Sequence, residues 1–250
     1  MTLSAWTKCR VFGRSLFLQA SWNPQGMQNL GLAYAVFPAL RELYPEPDAQ
    51  KAAVRRHLSF FNTHPYVAAA IVGGVLHHEE HIARGEESSE RVVAFKDALM
   101  GPLAALGDGF FWRSLRPAVG AFCAATVPFF GAWAALLYLV LYNAVHFSLR
   151  GKLYVLGLEQ GDKLIESLAR AKLPTRGARL RWVAAISAGG LATWFAVSVG
   201  AEVADWARVG VLSACLGVCA LAFIALVKRV SPSVVLYVSA FLAIAVGAMW

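Results

Sequence analysis

Residues 117–149 read PAVGAFCAATVPFFGAWAALLYLVLYNAVHFSL and contain no formal charge. A single straight helix of this length would measure about 50 Å, whereas the hydrocarbon core of a bilayer is roughly 30 Å thick. Pro128 and Gly131 lie near the middle of the stretch, and basic residues flank both of its ends. The pattern predicts a broken helix that returns to the side from which it started. Such helices occur at membrane depth where they are buried in protein or line a cavity.

The composition agrees with a membrane protein. The 250 residues are 58% hydrophobic and 15% charged, whereas about 25% of an ordinary soluble domain is charged. Uncharged runs at 182–201, 209–227 and 230–250 each reach the ~20 residues that a transmembrane helix needs. We therefore predict an all-α integral membrane protein. Its N-terminal half should contain amphipathic and re-entrant or broken helices, and its C-terminal half about three transmembrane helices.

The basic residues indicate how the chain is oriented. Residues 150–181 contain eight lysines or arginines, which predicts a cytoplasmic loop and, after three passes, an extracytoplasmic C-terminus. This sorting also explains the net charge of +8, and no recognised nucleic-acid-binding motif accompanies that charge. We expect 1–181 to be the substrate-path region, including the basic loop, and 182–250 the transmembrane region of one functional unit.

Two shorter stretches carry local predictions. The apolar run 67–76 has too few residues to span a bilayer, so we expect a buried or re-entrant segment. Asn23 and Pro24 have the order of an N-cap followed by proline at the first helical position, which predicts a helix running toward Leu43.

The stretch VGGVLHHEEHIARGEE, residues 72–87, contains an H-x-x-E-H motif formed by His77, Glu80 and His81. This order is typical of inverted zinc proteases, which also need a third ligand and a large soluble fold. The motif follows an apolar segment, so we expect a solvated, charged helix end. We predict no metal, cofactor or catalytic residue, and a zinc protease remains the most distant alternative.

Four polar islands interrupt the apolar surroundings, and together they supply amides, carboxylates and aromatic rings. A sugar site needs paired hydrogen bonds to hydroxyls and an aromatic plate against the ring. Asp108 is the clearest candidate, because an ionisable group at membrane depth is usually functional and nearby glycines and a proline should interrupt any helix there. The candidate binding residues are Trp22, Gln28, Asn29, Asn62, His64, Asp108 and Trp112.

Each of these residues also fits a plainer role. The amides suit caps, turns or contacts with water and partner helices, and the tryptophans suit interfacial anchors. Asp108 also fits an ion pair with Arg113 or Arg116.

Three motifs carry a resemblance to a known family. They are SWN-x-x-x-MQNLGLAYA-x-x-PAL at 21–40, HLSFFNTHPY at 57–66 and LMGPLAALGD-x-x-FW-x-x-LRP at 99–117. In order and spacing they resemble the IID membrane subunit of the mannose/fructose/sorbose family of the bacterial phosphotransferase system.

The resemblance implies a multi-pass permease subunit of the bacterial inner membrane. It would translocate a mannose-type hexose together with a IIC subunit, in a higher-order hetero-oligomer, while IIA and IIB subunits supply the phosphate. No residue of this chain would then be catalytic. Glu79, Glu80, Arg113 and Arg116 become candidates for the partner interface or a gate.

The sequence departs from the family pattern in the first motif and in HHEEH. The family usually has an acidic residue and an arginine where this chain has Gln25 and Gly26, and the histidines of HHEEH are unusual. These differences keep a second interpretation open, namely a non-transporting scaffold or regulatory subunit of an incomplete phosphotransferase system.

Overall fold

The computed structural model describes residues 2–200 and six isolated positions beyond them, which are 217, 231, 234, 237, 238 and 241. The predicted passes at 209–227 and 230–250 therefore lie outside the described residues, apart from those positions. The chain divides into two compact units, Met1–Ala188 and Gly189–Trp250.

The regular elements of the described part are helices. Two isolated β-bridges pair Met27 with Asn23 and with Phe61. A π-helical segment, Asp108–Leu115, connects α5 to α6, and a 3₁₀ turn, Gly161–Lys163, connects α7 to α8. This confirms the predicted all-α class. The α-helices are α1 (Ala5–Ser15), α2 (Asn29–Leu43), α3 (Pro47–His57), α4 (Ala68–Ala83), α5 (Ser89–Gly107), α6 (Arg116–Phe130), α7 (Trp133–Gln160), α8 (Leu164–Arg170) and α9 (Leu173–Gly200).

The centre of the first unit is the packing of α4 against α7. Residues 67–76 are buried throughout, which confirms that this apolar run is an internal segment. Glycines bring the two backbones together, since small residues let helices approach closely. A Cβ on Gly73 would lie 2.2 Å from the Tyr154 carbonyl oxygen, and one on Gly157 would lie 2.2 Å from the Ala70 carbonyl oxygen.

The helix break expected within 117–149 is present. Helix α6 ends at Phe130, Gly131 adopts a φ of 55°, and α7 begins at Trp133. Glycine adopts this left-handed backbone without the steric cost that a Cβ imposes. The two helices then pack against each other.

The expected interruption of the helix at Gly101 and Pro102 was wrong. Gly101 and Pro102 do not interrupt α5, which continues to Gly107 before the backbone widens into the π-helix. A proline removes one backbone donor, and local helical adjustments can absorb that loss. Residues 150–181, for which we predict a cytoplasmic position between membrane passes, are mostly helical, because α7 continues to Gln160 and α8 and the start of α9 follow.

Helix α9 covers residues 182–200 of the first predicted pass. In the described part of the chain, no helix combines the length and the apolar character needed to cross a membrane.

Candidate functional site

Six rings from three parts of the chain form one contiguous cluster beside α4. The His64 ring stacks on Phe111, with centroids 5.1 Å apart and planes 13° apart, and it also lies 5.1 Å from the Trp112 ring. The Tyr66 and His146 centroids are 3.7 Å apart. We name this the aromatic–histidine cluster, formed by His64, Tyr66, Phe111, Trp112, Tyr142 and His146.

The end of α5 sets the position of His64. A Cβ on Gly107 would lie 2.3 Å from the His64 Cβ, so only glycine permits this approach. The π-helical segment then presents Phe111 and Trp112 in succession to the imidazole. π-Helical turns are rare and often occur at functional sites.

Several buried polar atoms in and beside the cluster have no hydrogen-bond partner among the described residues. They are Thr63 Oγ1, His64 Nε2, Tyr142 Oη, both ring nitrogens of His146, and Arg150 Nε. Leaving a buried polar group unpaired costs about 1–3 kcal/mol. Hydroxyl groups of a ligand, or water molecules, are the partners that such atoms require.

The contribution of α7 to this site was not predicted from the sequence. Tyr138, Tyr142, His146 and Arg150 recur at every fourth residue, which places them on one helix face. The Tyr138 and Tyr142 rings stack with centroids 5.7 Å apart. This spacing of polar side chains in an otherwise apolar helix was the signal that could have identified them.

Arg150 brings a buried positive charge to the edge of the cluster. Its Nη2 donates to the Ser15 carbonyl oxygen at the end of α1. Burial, together with repulsion from the His146 imidazole and the Arg150 guanidinium, lowers the pKa of His64 to about 4. His64 is therefore neutral at pH 7 and can both donate and accept a hydrogen bond.

The predicted residue Gln28 fixes the chain next to His64. Its Nε2 donates to the Thr63 carbonyl oxygen at 2.8 Å, and the Thr63 amide donates to Gln28 Oε1 at 3.1 Å. Gln28 is buried, and its two hydrogen bonds join the first motif to the second.

Asn23 does not cap a helix, and α2 begins only at Asn29. Instead, Asn23 Oδ1 accepts a hydrogen bond from the Gly26 amide at 2.8 Å, and Met27 adopts a φ of 57°. Met27 forms a β-bridge with Phe61. The bridge between Met27 and Phe61 keeps residues 23–27 in a non-helical turn, so these residues do not form the first turn of α2.

Asn29 completes the same corner. Its Nδ2 donates to the Leu58 carbonyl oxygen at 2.6 Å, and its Oδ1 accepts from Asn23 Nδ2 at 3.0 Å. A Cβ on Gly26 would overlap the Asn29 side-chain amide, at 2.1 Å from Nδ2. Glycine at this departure from the family pattern therefore permits the observed Asn29 conformation.

The remaining predicted binding residues lie at the surface. Trp22, Asn62 and Asp108 are exposed. Within the described residues, Asp108 makes no ion pair with Arg113 or Arg116, although it begins the π-helical segment that carries Trp112.

Arg116 instead lies near an aromatic ring, with its guanidinium carbon 5.6 Å from the Trp112 ring centre. Of the predicted binding residues, the structure thus joins His64 to Trp112 directly and links Gln28 to them through Thr63.

The acidic residues of HHEEH differ in environment. Glu79 is fully buried and bonded to Arg56, His57 and Tyr44, so the expectation of a solvated helix end is wrong for this residue. Glu80 is partly exposed and accepts from the Leu3 amide at 2.9 Å, with Lys8 Nζ 3.2 Å away.

The partners of Glu79 determine its charge. Burial by itself raises the pKa of this carboxyl, but hydrogen bonds and positive charge from Arg56, with the His57 bond, outweigh burial and lower the pKa to about 2. Burial lowers the pKa of His57, while its contact with Glu79, with Nε2 2.8 Å from Oε1, acts in the opposite direction. The nearby Lys96 ammonium has its pKa lowered to about 8, chiefly by burial.

The three histidines of the motif bond to different groups. His77 Nδ1 lies 2.9 Å from the Leu158 carbonyl oxygen, His78 Nδ1 lies 2.7 Å from Glu87, and His81 Nδ1 lies 2.7 Å from Glu86. His78 is buried, contrary to the expected solvated helix end. Across the described ranges, no group of three or more potential ligands is arranged to hold a metal ion.

Comparisons with known proteins agree with this architecture. The chain aligns over 99% of its length with 97% of a chain in a cryo-electron microscopy structure of a mannose transporter in complex with a microcin, with a TM-score of 0.62 and 28% identity. A second solved structure, of a membrane protein, gives a TM-score of 0.74 and 29% identity over 100% of this chain and 98% of that chain.

Two bacterial proteins are similar to this chain in sequence. A mannose-specific EIID component of Escherichia coli is 41% identical over 160 residues, which cover 63% of this chain and 56% of that protein. A fructose permease IID component of Bacillus subtilis is 33% identical over 173 residues, covering 68% of this chain and 63% of that protein. The match to the mannose-specific protein thus spans little more than half of that protein's length.

The profile of the PTS system mannose/fructose/sorbose family IID component matches residues 2–249. The chain belongs to this family.

Proposed function

We propose that this chain is the IID permease subunit of a sugar phosphotransferase system. It translocates a mannose-type hexose together with a IIC subunit, while IIA and IIB subunits phosphorylate the sugar. The match of the family profile to residues 2–249 and the likeness to a mannose transporter support this assignment. The chemistry of phosphoryl transfer is assigned to the other subunits.

The observation that carries the proposal is the aromatic–histidine cluster with its unpartnered polar atoms. Hexoses bind where aromatic rings cover their apolar faces and neutral polar groups meet their hydroxyls. Trp112 supplies a partly exposed ring at the edge of the cluster, and His64, Tyr142 and His146 supply unpaired donors and acceptors.

The proposed topology places the chain in the bacterial inner membrane. The buried run 67–76 is the re-entrant segment, and the α6–α7 pair is the broken helix of the sugar path. The runs 182–201, 209–227 and 230–250 are three passes that leave the C-terminus outside the cytoplasm. The excess of positive charge in 150–181 supports a cytoplasmic position for that segment.

Within this path we assign sugar contact to His64, Trp112 and the exposed Asp108, whose carboxylate begins the same π-helical segment. Gln28 and Asn29 hold the corner that positions Thr63 and His64. We assign Gln28 and Asn29 to positioning rather than to sugar contact because both side-chain amides donate hydrogen bonds to backbone carbonyl oxygens.

The surface residues form a second group. Trp22 lies in the first motif and Asn62 in the second, and both side chains are exposed. We assign them to the entrance of the sugar path. Glu80 and Arg116 remain candidates for contact with the IIC subunit, and Arg113 remains a candidate gate residue. Glu79 acts from the interior by fixing α3 to α4 rather than by touching a partner.

Binding of hexose by the complex purified from native membranes in mild detergent tests the proposal. Trp112→Ala and Asp108→Asn should each weaken hexose binding at least about tenfold, or roughly 1.4 kcal/mol. Trp6→Ala removes a more exposed tryptophan on α1, outside the cluster and the α6–α7 pair, and should leave binding unchanged.

The second candidate function is a non-transporting scaffold, favoured by Gly26 at a family position that usually carries arginine. A reconstituted complex that retains its partner subunits but neither binds nor transports hexose would support the scaffold and contradict the permease.

A further inference from the structure

A cleft lies beside the π-helical segment. Its volume is about 450 Å³, and its lining includes Leu106, Gly109, Phe110, Arg113, Pro174 and Arg181. The helices α5 and α9 and the π-helical segment supply these residues. A cleft of this size is within the range that holds small-molecule ligands, roughly 300–1,000 Å³.

Two guanidinium groups give this cleft its charge. Within residues 2–200 Arg113 has no hydrogen bond or ion pair, and none of the described lining residues is acidic. Asp108, the nearest acidic residue in the sequence, is exposed and makes no ion pair with Arg113 in the described structure. The positive charge of Arg113 is therefore available to an anion.

Arg181, which α9 contributes to the cleft, is hydrogen-bonded to a buried hydroxyl. Its Nη1 donates to Ser114 Oγ at 3.0 Å, and Ser114 Oγ donates to the Gly109 carbonyl oxygen at 2.8 Å. A Cβ on Gly177 would lie 2.9 Å from Ser114 Oγ, so α9 approaches the π-helical segment closely. These contacts fix the distance between α9 and the π-helical segment, and they hold the Arg181 guanidinium in place before a ligand binds.

The start of α9 adds to the positive potential. Pro174 lies in the first turn of this 28-residue helix, and the N-terminal end of a helix dipole favours anions. Guanidinium groups bind phosphoryl oxygens through pairs of charge-assisted hydrogen bonds. The neighbouring Leu106 and Phe110 side chains provide an apolar wall for the group that carries the phosphate.

We infer that the Arg113–Arg181 cleft binds a phosphoryl group carried by a hexose phosphate or by an anionic lipid headgroup. The hexose-phosphate form rests on the proposed function, in which phosphorylated sugar appears on the cytoplasmic side. The π-helical segment then separates two sites, since Phe111 and Trp112 belong to the aromatic–histidine cluster whereas Gly109, Phe110 and Arg113 line the cleft.

The test uses the complex purified from native membranes. Calorimetry measures binding of inorganic phosphate, a hexose phosphate and the free hexose, and native mass spectrometry measures retention of phosphatidylglycerol from mixed phosphatidylcholine–phosphatidylglycerol vesicles. The variants are Arg113→Gln and Arg181→Gln, with Arg179→Gln as the control at an exposed arginine outside the cleft lining. Arg113→Gln removes no hydrogen bond of the described chain, so it reports on the cleft even if Arg181→Gln impairs folding.

We expect the two cleft variants to weaken hexose-phosphate and inorganic phosphate binding about tenfold while free hexose binding is unchanged. Loss of phosphatidylglycerol retention alone would assign the site to a lipid headgroup. Phosphate and lipid binding equal to that of Arg179→Gln would overturn the inference. Failure of the unsubstituted complex to bind free hexose, with phosphate binding intact, would instead count against the proposed transport function.

Discussion

The Arg56 guanidinium meets the Glu79 carboxylate side by side, with Nε 2.7 Å from Oε1 and Nη2 2.8 Å from Oε2. His57 and Tyr44 occupy the same carboxylate from other directions, at 2.8 Å and 2.7 Å. A bidentate pair of this kind has a defined geometry as well as a strong charge. It joins α2 and α3 to the buried helix α4, and so supports the corner from which His64 extends.

Removing the charge of Glu79 should destabilise the protein. Glu79→Gln leaves the half-buried Arg56 guanidinium without its anion, and breaking such a pair costs about 3–5 kcal/mol. Glu80→Gln, at the adjacent and partly exposed residue, should cost less than about 1 kcal/mol. Thermal unfolding of the two variants in mild detergent compares these losses. Equal losses would contradict a special role for the buried pair.

Acidification should lower stability through His64. Its pKa is about 4 in the folded protein, against an ordinary value of 6.5. Between these values the unfolded chain binds a proton that the folded protein does not, so the free energy of unfolding falls as the pH falls. The melting temperature should decrease between pH 7 and pH 5, and His64→Gln should reduce this decrease. The same slope in both proteins would refute the explanation.

Gly26 and Asn29 should be coupled. Gly26→Ala would displace the Asn29 amide and break its bond to the Leu58 carbonyl oxygen, at a cost of about 1–2 kcal/mol. Gly13→Ala is the control, because its Cβ would meet no atom within 4 Å and alanine favours a helix by about 1 kcal/mol over glycine. Chemical denaturation should show opposite signs for the two substitutions. A stabilised Gly26→Ala protein would mean that Asn29 relaxes freely.

His146 should contribute to hexose binding. Its two unpaired ring nitrogens are available to sugar hydroxyls, so His146→Ala is expected to weaken hexose binding about tenfold. Asn143 lies one turn earlier on α7, where its Nδ2 donates to the Leu139 carbonyl oxygen of its own helix. Asn143→Ala should leave binding unchanged in the same calorimetric assay. Comparable losses for both variants would indicate a general disturbance of α7.

Much of the fold followed from local patterns. The buried run 67–76 and the break at Gly131 were predicted correctly because apolar length and a glycine needed for positive φ are local properties. The start of α2 was predicted incorrectly, because the bridge between Met27 and Phe61 joins residues that are distant in the chain. The continuation of α5 through Pro102 was not predicted either, because the local helical adjustment that absorbs a missing backbone donor is not part of a residue's propensity.

By itself, the sequence determined the all-helical class, the family motifs and the position of the main helix break. Apolar runs and turn residues act within a few positions of one another, so they can be recognised along a single chain. Only the tertiary structure brought His64 and His146 against the same Tyr66 ring and revealed that Glu79 is an internal anchor. The burial and partners of a side chain depend on helices far apart in sequence, and these determine whether a polar residue binds a ligand or holds the fold.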